Sequence, residues 1–192
     1  MALVREAGGH LLQMIGDLLE LTRIETGQLG LEPTETELGP LLRECAHMLR
    51  PQADAAGVRI ELEPAEPKLR VHADRRRLKH ALANLLSNTV KYNRRGGWVR
   101  LGAGLHDGEL RLQVADIGFG MTANEQARLF EPFNRMAQQR GSIEATGIGL
   151  ALSRGPVQAM EGRVSVKSEP GAGSTFCVSL PLRSGQRVNL PA

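Results

Sequence analysis

The sequence predicts an α/β fold, and three observations lead there. Apolar residues recur at steps of three and four in three stretches, with Leu11, Ile15 and Leu18, then Leu41, Cys45 and Leu49, then Leu78, Leu82 and Leu85. That period belongs to helices with one buried face. Residues 58–62, 69–71, 110–115 and 175–180 are instead short, β-rich runs of strand character. Two glycine pairs, Gly118/Gly120 and Gly147/Gly149, stand where a strand stops and where a helix opens. A chain of 192 residues suits one domain of ordinary size with at most a short appendage. Hydrophobic residues at 41% supply a core, and aromatics at 3% leave aliphatic side chains to fill it.

Taken in order, Leu11, Leu12, Ile15, Leu18 and Leu19 give a broad apolar face to a helix over 2–25, with Gly27 as its stop. Pro33 keeps 31–38 extended, and Pro40 suits the first position of the next helix. The stripe of that helix is Leu41, Leu42, Cys45, Met48 and Leu49, and Gly57 ends it. Pro64 and Pro67 bracket a turn between the strands at 58–62 and 69–71. Asp74 precedes three arginines and caps the helix of Leu78, Leu82, Leu85 and Leu86. Asn84, Asn88 and Lys91 share one side of that helix. Asparagine is a poor helix former, so two at this spacing point to a use for their amides. Residues 124–130 read as a short helix, and Phe130, Pro132 and Phe133 as an apolar knot. Residues 134–145 lack an apolar period and read as a flexible flap. Residues 162–168 and 175–180 form a closing hairpin, and 183–192 a loose polar tail.

Chemistry gathers at a few points. Asp116 ends the strand at 110–115 with a carboxylate, which accepts hydrogen bonds and donates none. The exocyclic amino group of adenine is a donor that suits it. Gly118 and Gly120 have no Cβ and let backbone approach something flat and bulky. Gly147 and Gly149 open a helix whose first N–H groups suit phosphate. Cys45 and Cys177 lack the spacing of a zinc site or a disulfide framework. A net charge of +3 without an aromatic-basic stripe gives no nucleic-acid surface. No run approaches the ~18 apolar residues of a membrane span, and the N-terminus has no signal-peptide form.

Four stretches now stand in order: NLLSNTVKYN at 84–93, VADIGFGM at 114–121, LFEPFNR at 129–135 and TGIGL at 146–150. They resemble the N, G1, F and G2 boxes of the catalytic ATP-binding domain of sensor histidine kinases, over about residues 11–182. The resemblance implies a two-layer α/β sandwich of the Bergerat type, its mixed sheet covered by helices on one face and preceded by a helical stub. Residues 1–29 would be the second helix of the dimerisation and phosphoacceptor domain, 30–182 the ATP-binding domain and 183–192 the tail. ATP would be held by Asn84, Asn88, Lys91, Tyr92, Asp116, Gly118, Gly120 and Met121, with Arg135, Thr146, Gly147, Ile148, Gly149 and Leu150. Among these, Asn88 would coordinate Mg2+, Lys91 would reach phosphate oxygens and Tyr92 would cover the adenine.

The same resemblance sets the reaction. Gyrase-like and Hsp90-like relatives place a glutamate base where Asn84 stands, and an amide cannot take a proton from water or serine. The implied activity is transfer of the ATP γ-phosphate to a histidine on an upstream phosphoacceptor helix that this chain lacks. No residue of the chain is then acceptor or base. His10, followed by Leu11, lacks the acid that follows a phosphoacceptor histidine. The implied partners are ATP, that helix with its sensor domain, a response regulator and a second copy through the N-terminal helix, all in the cytoplasm. Ala145 replaces the first G2 glycine, Pro156 a leucine, and Glu161 the first of two glycines, with Gly162 left to cap the helix. These departures support an alternative, a degenerate nucleotide-binding or regulatory module without kinase activity.

Overall fold

The computed structural model describes residues 8, 15–16, 18–19, 22–24, 26–64, 69–132 and 147–182. Residues 22–24 are helical, and the helix stops at Gly27, which takes φ 67°. Two backbone bonds close that end, Gly27 N–H to Ile24 and Gln28 N–H to Arg23. Strand β1 (Thr34–Glu37) leads directly into α1 (Leu38–Ala56), so Pro40 falls in the first turn rather than at its first position. The first-turn N–H groups have no intrahelical partner, and a proline is tolerated there. Met48 is 48% exposed and lies off the buried stripe, which is Leu38, Leu41, Leu42, Cys45 and Leu49.

Strands β2 (Arg59–Leu62) and β3 (Arg70–Ala73) precede α2 (Arg75–Lys91). Asp74 caps α2, accepting from Arg77 N–H at 3.0 Å, and its second oxygen accepts from Glu32 N–H at 3.0 Å. β4 (Trp98–His106) and β5 (Glu109–Asp116) form a hairpin. The short helix α3 (Ala123–Ala127) begins at a capping box in which Thr122 and Glu125 exchange hydrogen bonds. After α4 (Gly149–Ala159), β6 (Arg163–Glu169) and β7 (Gly173–Pro181) complete the described chain.

The main sheet has the order β2-β4-β5-β7-β6, with β2 parallel to β4 and every other pair antiparallel. β1 and β3 make a separate antiparallel ribbon. Strand alternation sends Leu110, Leu112 and Val114 of β5 and Phe176, Val178 and Leu180 of β7 to one face. Leu38, Leu41 and Leu42 of α1, Leu78, Leu82 and Leu85 of α2, and Val157 of α4 join them in one core. The opposite face carries ion pairs such as Arg100–Glu61 at 3.0 Å and Arg111–Asp107 at 2.9 Å. This is the mixed sheet with helices on one face that the sequence predicts. No helix among the described residues is long and apolar enough to cross a membrane.

Candidate functional site

β5 is the central strand, so its last residue lies at the middle of the sheet edge. Asp116 is 8% exposed there, accepting from Gly118 N–H at 2.7 Å and from the Ser174 backbone. Burial pushes its carboxyl up to about 6 from an ordinary 3.8, against the lowering effect of those two N–H groups. A buried carboxylate with capacity for further hydrogen bonds suits a ligand donor.

The glycines that follow are required by the packing of the protein itself. A Cβ on Gly118 would fall on the Tyr92 carbonyl oxygen and 2.8 Å from Asp116 Oδ1. Gly120 takes φ 65°, and a Cβ there would strike the Glu169 carbonyl. The loop is thus pressed between the end of α2 and the β6–β7 turn. Phe119 N–H donates to Tyr92 O at 3.1 Å, and Gly171 N–H donates to Phe119 O at 2.7 Å. Tyr92 is half-buried, which raises its phenol.

Sequence reasoning missed the residue that pins this loop. Ser168 Oγ accepts from Met121 N–H at 2.9 Å and donates to Gly173 O at 2.7 Å. Gln126 adds bonds to the carbonyls of Met121 and Ser168. The signal was a serine at the inward register of β6, after Val164 and Val166.

The second cluster lies one to two turns earlier on α2. Asn84 donates through Nδ2 to Gly149 O at 3.1 Å, tying α2 to the start of α4. Asn88 donates through Nδ2 to Asn84 O at 2.9 Å. An amide bonded through its nitrogen keeps its carbonyl oxygen as an acceptor, a hard ligand of the kind magnesium takes. Lys91 is exposed in the last turn. Gly147, Ile148, Gly149 and Leu150 lead into α4, where unpaired N–H groups and the helix dipole favour an anion. The structure therefore joins the two clusters through α2. Arg135, Thr146, Phe133 and Ala145, with the rest of the flap, lie outside the described residues. Among the described residues no cluster of three or more His, Cys, Asp or Glu side chains could hold a metal.

Glu161, not Gly162, occupies the left-handed position after α4, with φ 61°. Glu161 N–H bonds Gln158 O, and Gly162 N–H bonds Val157 O, closing the helix end. Gly162 is required for space instead, since a Cβ there would lie 2.6 Å from Ser179 O.

Comparison with known proteins completes the picture. A family model described as histidine kinase-, DNA gyrase B-, and HSP90-like ATPase matches residues 73–184. The histidine protein kinase DivJ of Caulobacter vibrioides is 37% identical over 182 residues, covering 94% of this chain and 30% of that protein. The alginate biosynthesis sensor protein KinB of Pseudomonas aeruginosa is 32% identical over 179 residues, covering 93% and 30%. The crystal structure of full-length ShkA in complex with AMPPNP superposes with a TM-score of 0.82 at 33% identity, covering 94% of this chain and 37% of that one. The Acinetobacter baumannii histidine kinase AdeS shares the fold at 22% identity and a TM-score of 0.79, covering 95% and 83%. The chain spans about a third or less of the length of these curated relatives.

Proposed function

Because this chain belongs to the histidine kinase-, DNA gyrase B-, and HSP90-like ATPase family, as the catalytic ATP-binding domain of a histidine kinase, we propose that ATP lies along α2. Asn84 and Tyr92 are separated by about 12 Å at roughly 1.5 Å per helical residue. The adenine sits at the Tyr92 end, its amino group donating to Asp116, with Gly118, Gly120 and Met121 lining the base. The triphosphate sits at the Asn84 end, against the N–H groups of 146–150, with Lys91 and Arg135 reaching its oxygens. Magnesium, held through Asn88 and phosphate oxygens, would neutralise charge as the γ-phosphoryl group leaves.

The observation that carries the transferase reading is Asn84. It donates to Gly149 O from the position where a hydrolase needs a base, and an amide cannot deprotonate water. The phosphoryl group must then pass to a nucleophile that needs no base here, and a histidine nitrogen is one. The bond between the γ-phosphorus and the bridging oxygen breaks, ADP leaves with that electron pair, and the imidazole takes the phosphorus in line from about 3–3.5 Å.

That histidine belongs to a helix other than those of this chain. His47 and His80 are on α1 and α2, His72 is on β3, and His106 ends β4; His10 lies outside the described residues. A response regulator would receive the phosphate next, a second copy would pair through the N-terminal helix, and the domain would work in the cytoplasm. Similarity to kinases at these coverages favours this over a degenerate module.

Labelled ATP with magnesium, given with and without a separate histidine-bearing helical hairpin, tests the reading. Acid-labile label should reach the hairpin and not the chain alone. Label on the chain alone would overturn the assignment of the acceptor. An unlabelled hairpin despite measurable ATP binding would favour the regulatory module.

A further inference from the structure

Gly155 and Pro156 lie inside α4, at positions where a helix has no propensity reason for either. Space explains the glycine. A Cβ at Gly155 would lie 2.8 Å from Ile24 Cδ1, 3.0 Å from Cγ1 and closer still to Cγ2. The helix is notched, and Ile24 fills the notch. Ile24 is half-buried against an apolar cluster of Ile148, Ala151 and Leu152, apart from the main core. Ile148 is 4% exposed and stands between Gly147 and Gly149. Pro156 withholds the N–H that would bond the Leu152 carbonyl, so this turn of α4 depends more on packing than a regular helix does. The N-terminal helix ends at Gly27, which leaves Ile24 in its last turn.

We propose that Ile24, seated in the Gly155 notch, preorganises the phosphate loop through Ile148 and so couples the N-terminal helix to nucleotide binding. The coupling rests on the nucleotide reading above. A loop already held in its binding conformation has less freedom to lose when phosphate arrives. Linkage makes the effect reciprocal, with bound nucleotide tightening the seat of Ile24 to the same degree.

Titration calorimetry with Mg-ATP and amide hydrogen exchange test this on the full chain. Ile24→Ala should weaken Mg-ATP by at least about fivefold, the lower end of typical couplings. Ile24→Val, trimming one carbon, should weaken it less. Gly155→Ala should act like Ile24→Ala by displacing Ile24, and the double variant should be no weaker than either single, as residues sharing one contact are not additive. In wild-type protein Mg-ATP should slow exchange at 22–28. Unchanged or tighter binding by Ile24→Ala, or exchange at 22–28 indifferent to Mg-ATP, would overturn the coupling. The seat itself is read without nucleotide, where Ile24→Ala should speed exchange at 147–152 and no change would overturn it. Wild-type protein that takes up no ATP would instead overturn the nucleotide reading.

Discussion

Asp116 carries opposing demands in one carboxyl group. Its pKa of about 6 lies above the ordinary 3.8, so the folded protein holds this proton more tightly than the unfolded chain. The contribution to stability is therefore greatest below about pH 4, declines as pH rises to about 6 and stays low above it. At most roughly 3 kcal/mol is involved. Asp116→Asn removes the buried charge at constant shape. It should melt higher than wild type at pH 8, and the difference should close near pH 4. ATP should bind the variant poorly, and the wild type more weakly as pH falls through about 6, because the neutral carboxyl is the poorer acceptor. A variant that melts lower than wild type at pH 8 would refute the cost assigned to burial. Glu161 presents a simpler case. A side chain at φ 61° costs about 1–2 kcal/mol, so Glu161→Gly should raise the melting temperature without changing ATP affinity.

At the scale of elements, α2 would act as a ruler between base and phosphates in the proposed site. Asn88→Ala should weaken ATP binding mainly when magnesium is present, and an equal loss in EDTA would make Asn88 structural. Much of this helix was legible in the sequence, since the Asp74 cap, the leucine stripe and the two asparagines are local patterns. The strand ending at Asp116 was legible for the same reason. What was hidden depends on distant partners. The sequence shows that Gly118 and Gly120 permit close approach, but only the fold shows that the approaching groups include the carbonyls of Tyr92 and Glu169. Ser168 looks like any strand serine until β6 is placed beside the G1 loop. Gly155 has no evident use in a helix until Ile24, far back in the chain, is placed against it.

For the whole molecule, three of the exposed large apolar side chains among the described residues lie close together near the N-terminus. Ile15, Leu18 and Leu19 are 48%, 47% and 57% exposed, whereas Ile24, further along the chain, is half-buried against the α4 cluster. A second copy of the helix would cover them as the proposed dimer requires. Sedimentation should show a concentration-dependent dimer, and Leu18→Glu with Leu19→Glu should leave a monomer that still binds ATP. A wild-type monomer at high concentration would remove this face from the proposal.

The place of β7 carries a consequence for how the protein is made. Although it is the last described strand in sequence, it sits between β5 and β6. Until residues 173–181 leave the ribosome, β5 presents an unpaired edge carrying Leu110, Leu112 and Val114. Open apolar edges invite pairing with other chains, and strands that wait for distant partners fold slowly. Asp116 also lacks Ser174 as a register partner until then, so the proposed ATP site would be incomplete in a partly synthesised domain. Newly made chains should depend on chaperones until β7 inserts, and only then can nucleotide protect them.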